Sequence, residues 1–175
     1  MESDEELMEA VARGDERALG LLVDRHGTRI HAHLARMTGS GDDADDLLQE
    51  TWVRVARSAR TYTSGRPVRP WLYGIASNLA RDLGRRRAVR ARGDALATAD
   101  REPGAAPQAR VVEGRALRER VARLPERLRE VVLLRYFEDL DEAEMAEALG
   151  VPRGTVKSRL HGAIQALKRG WEEER

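Results

Sequence analysis

The sequence predicts an all-α protein: two small helical domains joined by a flexible linker. Three observations predict it. Apolar residues recur near a period of 3.6 along most of the chain, and no convincing two-residue alternation appears. Aromatic residues make up only 4% and charged residues 35%, so the core must be built from Leu, Val, Ile and Ala. That palette suits helices and is poor in the residues that fill sheets. The apolar period then disappears between Ala91 and about Ala109, where Ala, Gly, Pro, Asp and Arg dominate. Such a stretch cannot bury enough apolar area to offset its ordering entropy. The chain therefore divides into a domain over 1–90, a linker over 91–110 and a second domain over 111–175.

The first helix is expected over about 4–13, broken at Gly14. A second follows over about 15–38, with Ala18, Leu22, Ile30, Leu34 and Met37 inward, ending at Gly39-Ser40-Gly41. The third, about 42–58, opens on Asp42 and Asp43, whose carboxylates complement a helix N-terminus. Residues 61–67 read as a loop. A fourth helix runs over about 68–90, with Pro70 in its first turn and Trp71, Ile75, Leu79 and Leu83 at four-residue spacing. Trp71 is expected in the core. Beyond the linker, periodicity returns at Val111–Val121. Leu124-Pro125 marks a new start, and Val131, Val132, Leu134 and Phe137 form the next stripe.

Cysteine is absent, which removes disulfides, thiolate metal sites and Cys nucleophiles together. No apolar stretch approaches the roughly 20 residues that span a bilayer, and the acidic N-terminus lacks a signal peptide's basic start. A cytoplasmic protein is expected. The net charge of +1 conceals strong segregation. Residues 1–50 hold 13 acids and 5 bases, whereas 51–92 hold 11 bases and one acid, Asp82. Residues 138–147 carry six acids and no base, and 151–169 carry five bases and no acid. Two basic blocks in separate halves point to a polyanion partner, and the acidic blocks to a different one.

The strongest local signal lies between Asp141 and Lys168. Asp141 and Glu144 have capping-box spacing, and Met145, Ala146 and Leu149 give one face of a short helix. Gly150 suits a left-handed turn, Val151 can plug it, and Pro152 starts the next helix. That helix is expected to bury Val156, Leu160, Ala163, Ile164 and Leu167, and to expose Arg153, Thr155, Lys157, Ser158, Arg159 and His161. A short helix, a tight turn and a second helix with a basic leading end is the logic of a helix-turn-helix. The second helix sits in a major groove, its first turns against base edges. An ordinary helical hairpin would have no reason to exclude acids from 151–169. His161 has no second ligand one turn away, and His26, His31 and His33 lack a companion set. His161 is read as a groove-facing or phosphate-near residue and the other three as exposed or half-buried structural histidines, with no metal and no cofactor.

In the first half, Asp42–Trp52 admits two readings that spacing alone does not separate. One is a helix start with a solvated acidic face. The other is a docking face, acidic outside, with Leu48, Trp52 and Val55 inside. A metal site is disfavoured because a continuous helix spreads the carboxylates around its axis. Residues 60–90 combine eight arginines with Tyr62, Trp71, Tyr73 and Asn78. Basic groups follow a phosphate backbone, aromatic faces stack unstacked bases, and an amide can read a base edge.

Together these segments resemble the extracytoplasmic-function sigma factors of bacterial RNA polymerase. Asp45–Trp52 and Pro70–Asp82 resemble conserved region 2, and Leu124–Arg127 with Val151–His161 resemble region 4. The resemblance covers nearly the whole chain except the linker. It implies that Asp45, Asp46, Leu47, Gln49 and Glu50 dock on the clamp helices of core RNA polymerase. It implies that Tyr62, Arg66, Arg69, Tyr73, Asn78, Arg81 and Arg85 open and hold the minus-10 element as single-stranded DNA, with Asn78 near a flipped base. Arg153, Thr155, Lys157, Ser158, Arg159 and His161 would read the minus-35 duplex. An anti-sigma factor is implied as a further partner.

Four positions depart from the family pattern. Val68 stands where Phe is common and Ser77 where Arg is common, and Gly162 and Ile164 occupy positions that often carry Arg. Gly162 is expected to remove a groove-facing contact. The rival reading is a stand-alone helix-turn-helix regulator gripping an operator without polymerase. It leaves the basic stretch 51–92 unexplained. An enzyme is disfavoured, because no nucleophile–base pair or phosphate-binding glycine loop appears.

Overall fold

The computed structural model describes residues 2–94 and 112–172. The linker predicted over 91–110 falls largely outside the described residues, and its first four residues, 91–94, are helical. Eight α-helices and one short 3-10 turn make up the described elements: α1 (Asp4–Ala12), α2 (Glu16–Thr38), α3 (Gly41–Ser58), the turn Ala59–Thr61, α4 (Val68–Asp94), α5 (Val112–Arg123), α6 (Glu126–Tyr136), α7 (Glu142–Leu149) and α8 (Arg153–Glu172).

Each of the first three helices begins on a side chain that satisfies its free amides. Ser3 and Glu6 form a reciprocal capping box, the Ser3 hydroxyl accepting from Glu6 N at 3.1 Å and Glu6 Oε2 from Ser3 N at 2.7 Å. Asp15 accepts from Arg17 N at 2.9 Å and Ala18 N at 3.2 Å. The cap of α3 is Ser40 rather than an Asp, accepting from Asp43 N at 3.2 Å. Gly39 closes α2 at φ 74°, a left-handed position that a side chain would strain.

In the N-terminal half, Leu7, Met8, Leu22, Ile30, Leu34, Ala44, Trp52, Val55, Leu72 and Ala76 make the core of α1–α4. Asp4 pins α1 to α2 through Arg25 at 2.9 Å and His26 at 2.6 Å, and Asp43 pins α3 to α4 by a two-pronged bond to Arg87 at 2.6 and 2.7 Å. In the C-terminal half, α6 buries five consecutive residues, Glu130–Leu134, because neighbours cover it on several sides.

Three expectations about burial need correction. Trp71 is half-buried, stacked edge-on against Tyr62 at 5.6 Å; the deeper face of α4 runs through Val68, Leu72, Ala76 and Leu79. His26 and His33 are buried, not exposed or half-buried, since each finds a polar partner inside. Ile164 is 37% exposed, because α8 turns the stripe Val156, Leu160, Ala163 and Leu167 inward and leaves Ile164 on the flank.

The two halves pack together: α4 lies against α7, and α2 against α6. Gly74 permits the closest approach. A Cβ there would stand 2.9 Å from the Ala148 carbonyl oxygen.

Candidate nucleic-acid interface

The C-terminal interface is built by two caps. Asp141 accepts from Ala143 N at 2.7 Å and Glu144 N at 2.9 Å, and Glu144 returns a carboxylate to Asp141 N at 2.8 Å. Those amides hold the Asp141 carboxyl below the usual range. At the other end of α7, Gly150 adopts φ 63°, and Val151 N donates back to the Ala146 carbonyl at 3.1 Å. These caps turn the chain sharply into α8 and aim its first turns outward.

On α8, Arg153, Lys157, Ser158 and His161 are exposed as expected. Their spacing continues into Ile164 and Lys168, so one outward stripe runs 153, 157, 161, 164, 168. Ile164 thus offers an apolar contact of the kind that meets a thymine methyl. Thr155 and Arg159 are only half-buried on the side of the helix, and Arg159 Nη1 is buried without a hydrogen bond. Position 162 does not face the groove: a Cβ there would meet Leu128 of α6 at 3.6 Å. The expectation that Gly162 removes a groove contact is corrected accordingly.

The acidic stretch forms the outer face of α3. Asp45, Asp46 and Gln49 are exposed, Leu47 is half-buried, and Glu50 pairs with Arg54 at 2.9 Å. Val53, which sequence reasoning passed over, lies one turn beyond Gln49 and is 41% exposed. Val53 thus sets an exposed apolar side chain within the acidic stripe.

On α4 the expected minus-10 residues divide. Asn78 and Arg85 are exposed on one edge, with Asn78 accepting from Arg81 and Arg85 pairing with Asp82. Tyr62 is half-buried and donates to the Arg66 carbonyl. Tyr73 offers no open aromatic face. It is buried, its ring edge-on to His33 at 5.3 Å and its hydroxyl donating to Glu138. Burial, and then the Glu138 carboxylate, push its ionisation upward.

Beneath this face lie two titratable groups. His33 is fully buried, with Nε2 3.0 Å from the Ser77 hydroxyl, and burial followed by the charge of Arg36 pushes it down to about 3. Ser77 thus partners His33. Glu130 of α6 is also fully buried, 3.5 Å from Arg81, and neither carboxylate oxygen has a good hydrogen bond. Burial pushes it up to about 7, against the opposing pull of Arg81 and Arg159.

This makes a pH-dependent prediction. The folded chain holds the Glu130 proton more tightly than the unfolded chain. The penalty for ionised Glu130 is therefore absent below about pH 4.5, grows between there and pH 7, and is complete above it. Glu130→Gln should raise stability at pH 8 by about 2–3 kcal/mol, or roughly 5–10 °C in Tm, and leave it nearly unchanged at pH 4. Thermal melts at the two pH values check this; equal shifts at both would contradict it.

Residues 22–90 match the family model Sigma-70 region 2, and residues 114–167 match Sigma-70, region 4. The chain is 37% identical over 176 residues to the RNA polymerase sigma factor NccH of Alcaligenes xylosoxydans xylosoxydans, covering 94% of this chain and 92% of that one. It is 29% identical over 171 residues to the ECF RNA polymerase sigma factor SigW of Bacillus subtilis, covering 91% of each. Among solved structures, CnrH in complex with the cytosolic domain of CnrY superposes with a TM-score of 0.75 at 27% identity, over 99% of this chain and all of that one. With helices, order of regions and relatives in accord, the chain belongs to the ECF sigma factors of bacterial RNA polymerase.

Proposed function

We propose that residues 1–90 act as region 2 and residues 111–175 as region 4 of a sigma factor that brings core RNA polymerase to two promoter elements. The observation that carries this reading is the pairing, in one chain, of an acid-free outward stripe on α8 with a basic α4. The first suits duplex DNA in a major groove, and the second suits an unwound strand. Arg153, Lys157, Ser158 and His161 read or hold the minus-35 duplex, flanked by Thr155 and Arg159. Asn78 reads a flipped minus-10 base while Tyr62, Arg66, Arg69, Tyr73, Arg81 and Arg85 serve the strand around it. Core polymerase docks on Asp45, Asp46, Leu47, Gln49 and Glu50, with Val53 as the apolar centre. The chain works where the polymerase works, in the cytoplasm; no helix among the described residues is long and apolar enough to cross a membrane. An anti-sigma factor is a further partner; the similar CnrH forms a complex with the cytosolic domain of CnrY.

The docking assignment is tested with Asp46→Arg combined with Gln49→Ala. Both residues are exposed, so the fold should be unaffected. Reversing a charge and removing an amide at the face should weaken binding to bacterial core polymerase by roughly 10-fold or more. Affinity for a minus-35 duplex should not change. Unaltered core binding would move the docking face elsewhere.

A further inference from the structure

Among the described residues of α8, Ile164 is the exposed large apolar side chain, and it stands between His161 and Lys168 on the outward stripe. With about 3.6 residues per turn, position 164 lies within about 20° of both Arg153 and Lys157 around the helix axis. All three therefore look the same way. Packing does not call for isoleucine there. Leu160, Ala163 and Leu167 fill the contact with the core, and Ile164 does not join them. On an exposed helical surface a β-branched residue is also a slightly poorer helix former than Ala, Arg or Lys. What it adds is a stiff apolar side chain, held in few rotamers and set among cations.

The apolar group that a base edge displays in the major groove is the C5-methyl of thymine. We propose that Ile164 reads one thymine of the minus-35 element through that methyl, and that Lys157 and Ile164 together set part of the sequence this chain selects. This rests on the reading that α8 enters the major groove. Acids are absent from 151–169, so no carboxylate on this helix repels the phosphates that flank such a contact. Arg153 and Lys168, at the two ends of the stripe, are placed for those phosphates.

The geometry also gives a spacing. Lys157 to Ile164 is two helical turns, a rise of about 10 Å. Residues of a homeodomain's recognition helix read bases over the same span. With base pairs about 3.4 Å apart along the duplex, the thymine under Ile164 lies about two or three pairs from the pair under Lys157. Lysine favours the O6 and N7 acceptors of guanine. The expected element thus carries a guanine and, about two or three pairs along, a thymine.

Replacing the thymines of the element one at a time with deoxyuridine tests this, because the change keeps every hydrogen bond and removes only the methyl. The probe is a promoter duplex that contains the minus-35 element and ends upstream of the minus-10 element, so melting does not contribute. The protein is the full chain in complex with core polymerase. In the parent, deoxyuridine at one thymine should weaken binding roughly 3- to 5-fold, the value of one methyl withdrawn from contact. Ile164→Ala should weaken binding to the thymine duplex by at least that factor. It should also abolish the effect of deoxyuridine at that one position, since both changes remove the same contact. Its slope of log affinity against log salt should equal the parent's, because no phosphate contact is lost. Ile164→Val should keep the sensitivity to the methyl, and Ile164→Arg should lose it while steepening the salt slope.

No sensitive thymine in the parent, or a sensitivity that survives in Ile164→Ala, would overturn the proposal and leave α8 in the groove. A shallower salt slope in Ile164→Ala would also overturn it, by tying the residue to a phosphate contact. Failure of the underlying reading looks different: the chain with both Arg153→Glu and Lys157→Glu would then bind the duplex as well as the parent.

Discussion

Replacing both Arg153 and Lys157 with Glu is expected to reduce affinity for a minus-35 duplex about 100-fold at physiological salt. Each group lost from a base edge or phosphate is worth on the order of 1–3 kcal/mol, and the two act on one face. The fold should survive. Both residues are exposed in the first turns of α8, where acidic side chains complement the helix dipole. The bond lost from Lys157 to Glu142, 3.5 Å long and exposed, contributes little. Fluorescence anisotropy over a salt series checks the prediction. Besides the loss in affinity, the slope against log salt should fall by roughly one for each phosphate contact removed. A variant that binds the duplex as well as the parent would take α8 out of minus-35 recognition.

Asn78→Ala is expected to lower open-complex formation on a duplex promoter by roughly 30- to 100-fold. Extruding a base costs a few kcal/mol of unstacking, and a side chain that holds the base must offset it. Asn78 is exposed and, among the described residues, its oxygen accepts from Arg81, so its loss leaves no buried group stranded. Alanine also favours the helix. Stability and duplex minus-35 affinity should therefore be unchanged. A promoter already opened as a mismatched bubble should restore activity to within a few-fold of the parent. Equal defects on duplex and bubble templates would contradict a role in capturing the base.

The helices themselves were legible because their signals are local. Asp141, Glu144 and Gly150 predict the α7 caps within ten residues of sequence, and all three act as expected. The inward stripe of α2, from Ala18 to Met37, is likewise a matter of helical period, and it is buried throughout. What the sequence concealed is contact between distant segments. Glu130 and Glu138 look like ordinary solvated acids; nothing within ten residues of either names Arg81 or Tyr73 as partner. His33 and Ser77 lie 44 residues apart, and each is unremarkable alone. Ile164 and Gly162 fell on the wrong sides because the inward stripe of α8 was drawn rotated toward Ile164 and away from Gly162. A helix packed by α6 on one side and α7 on another leaves less outward surface than a single apolar face implies.

The same local reasoning explains why the sequence leaves open whether the two halves pack together. A linker without apolar period says that its own residues do not build a core. It is silent on whether the domains at its ends meet. The contact depends on Gly74, whose missing side chain is a signal only once its neighbour Ala148 is known.

Transcription in vitro from genomic fragments, with bacterial core polymerase in the presence and absence of this protein, tests the central assignment most directly. The account predicts new, discrete transcripts that appear only with the protein, and whose start sites share two upstream elements. No such transcripts, together with poor binding to core polymerase and tight binding of a two-fold duplex site by the protein alone, would contradict it.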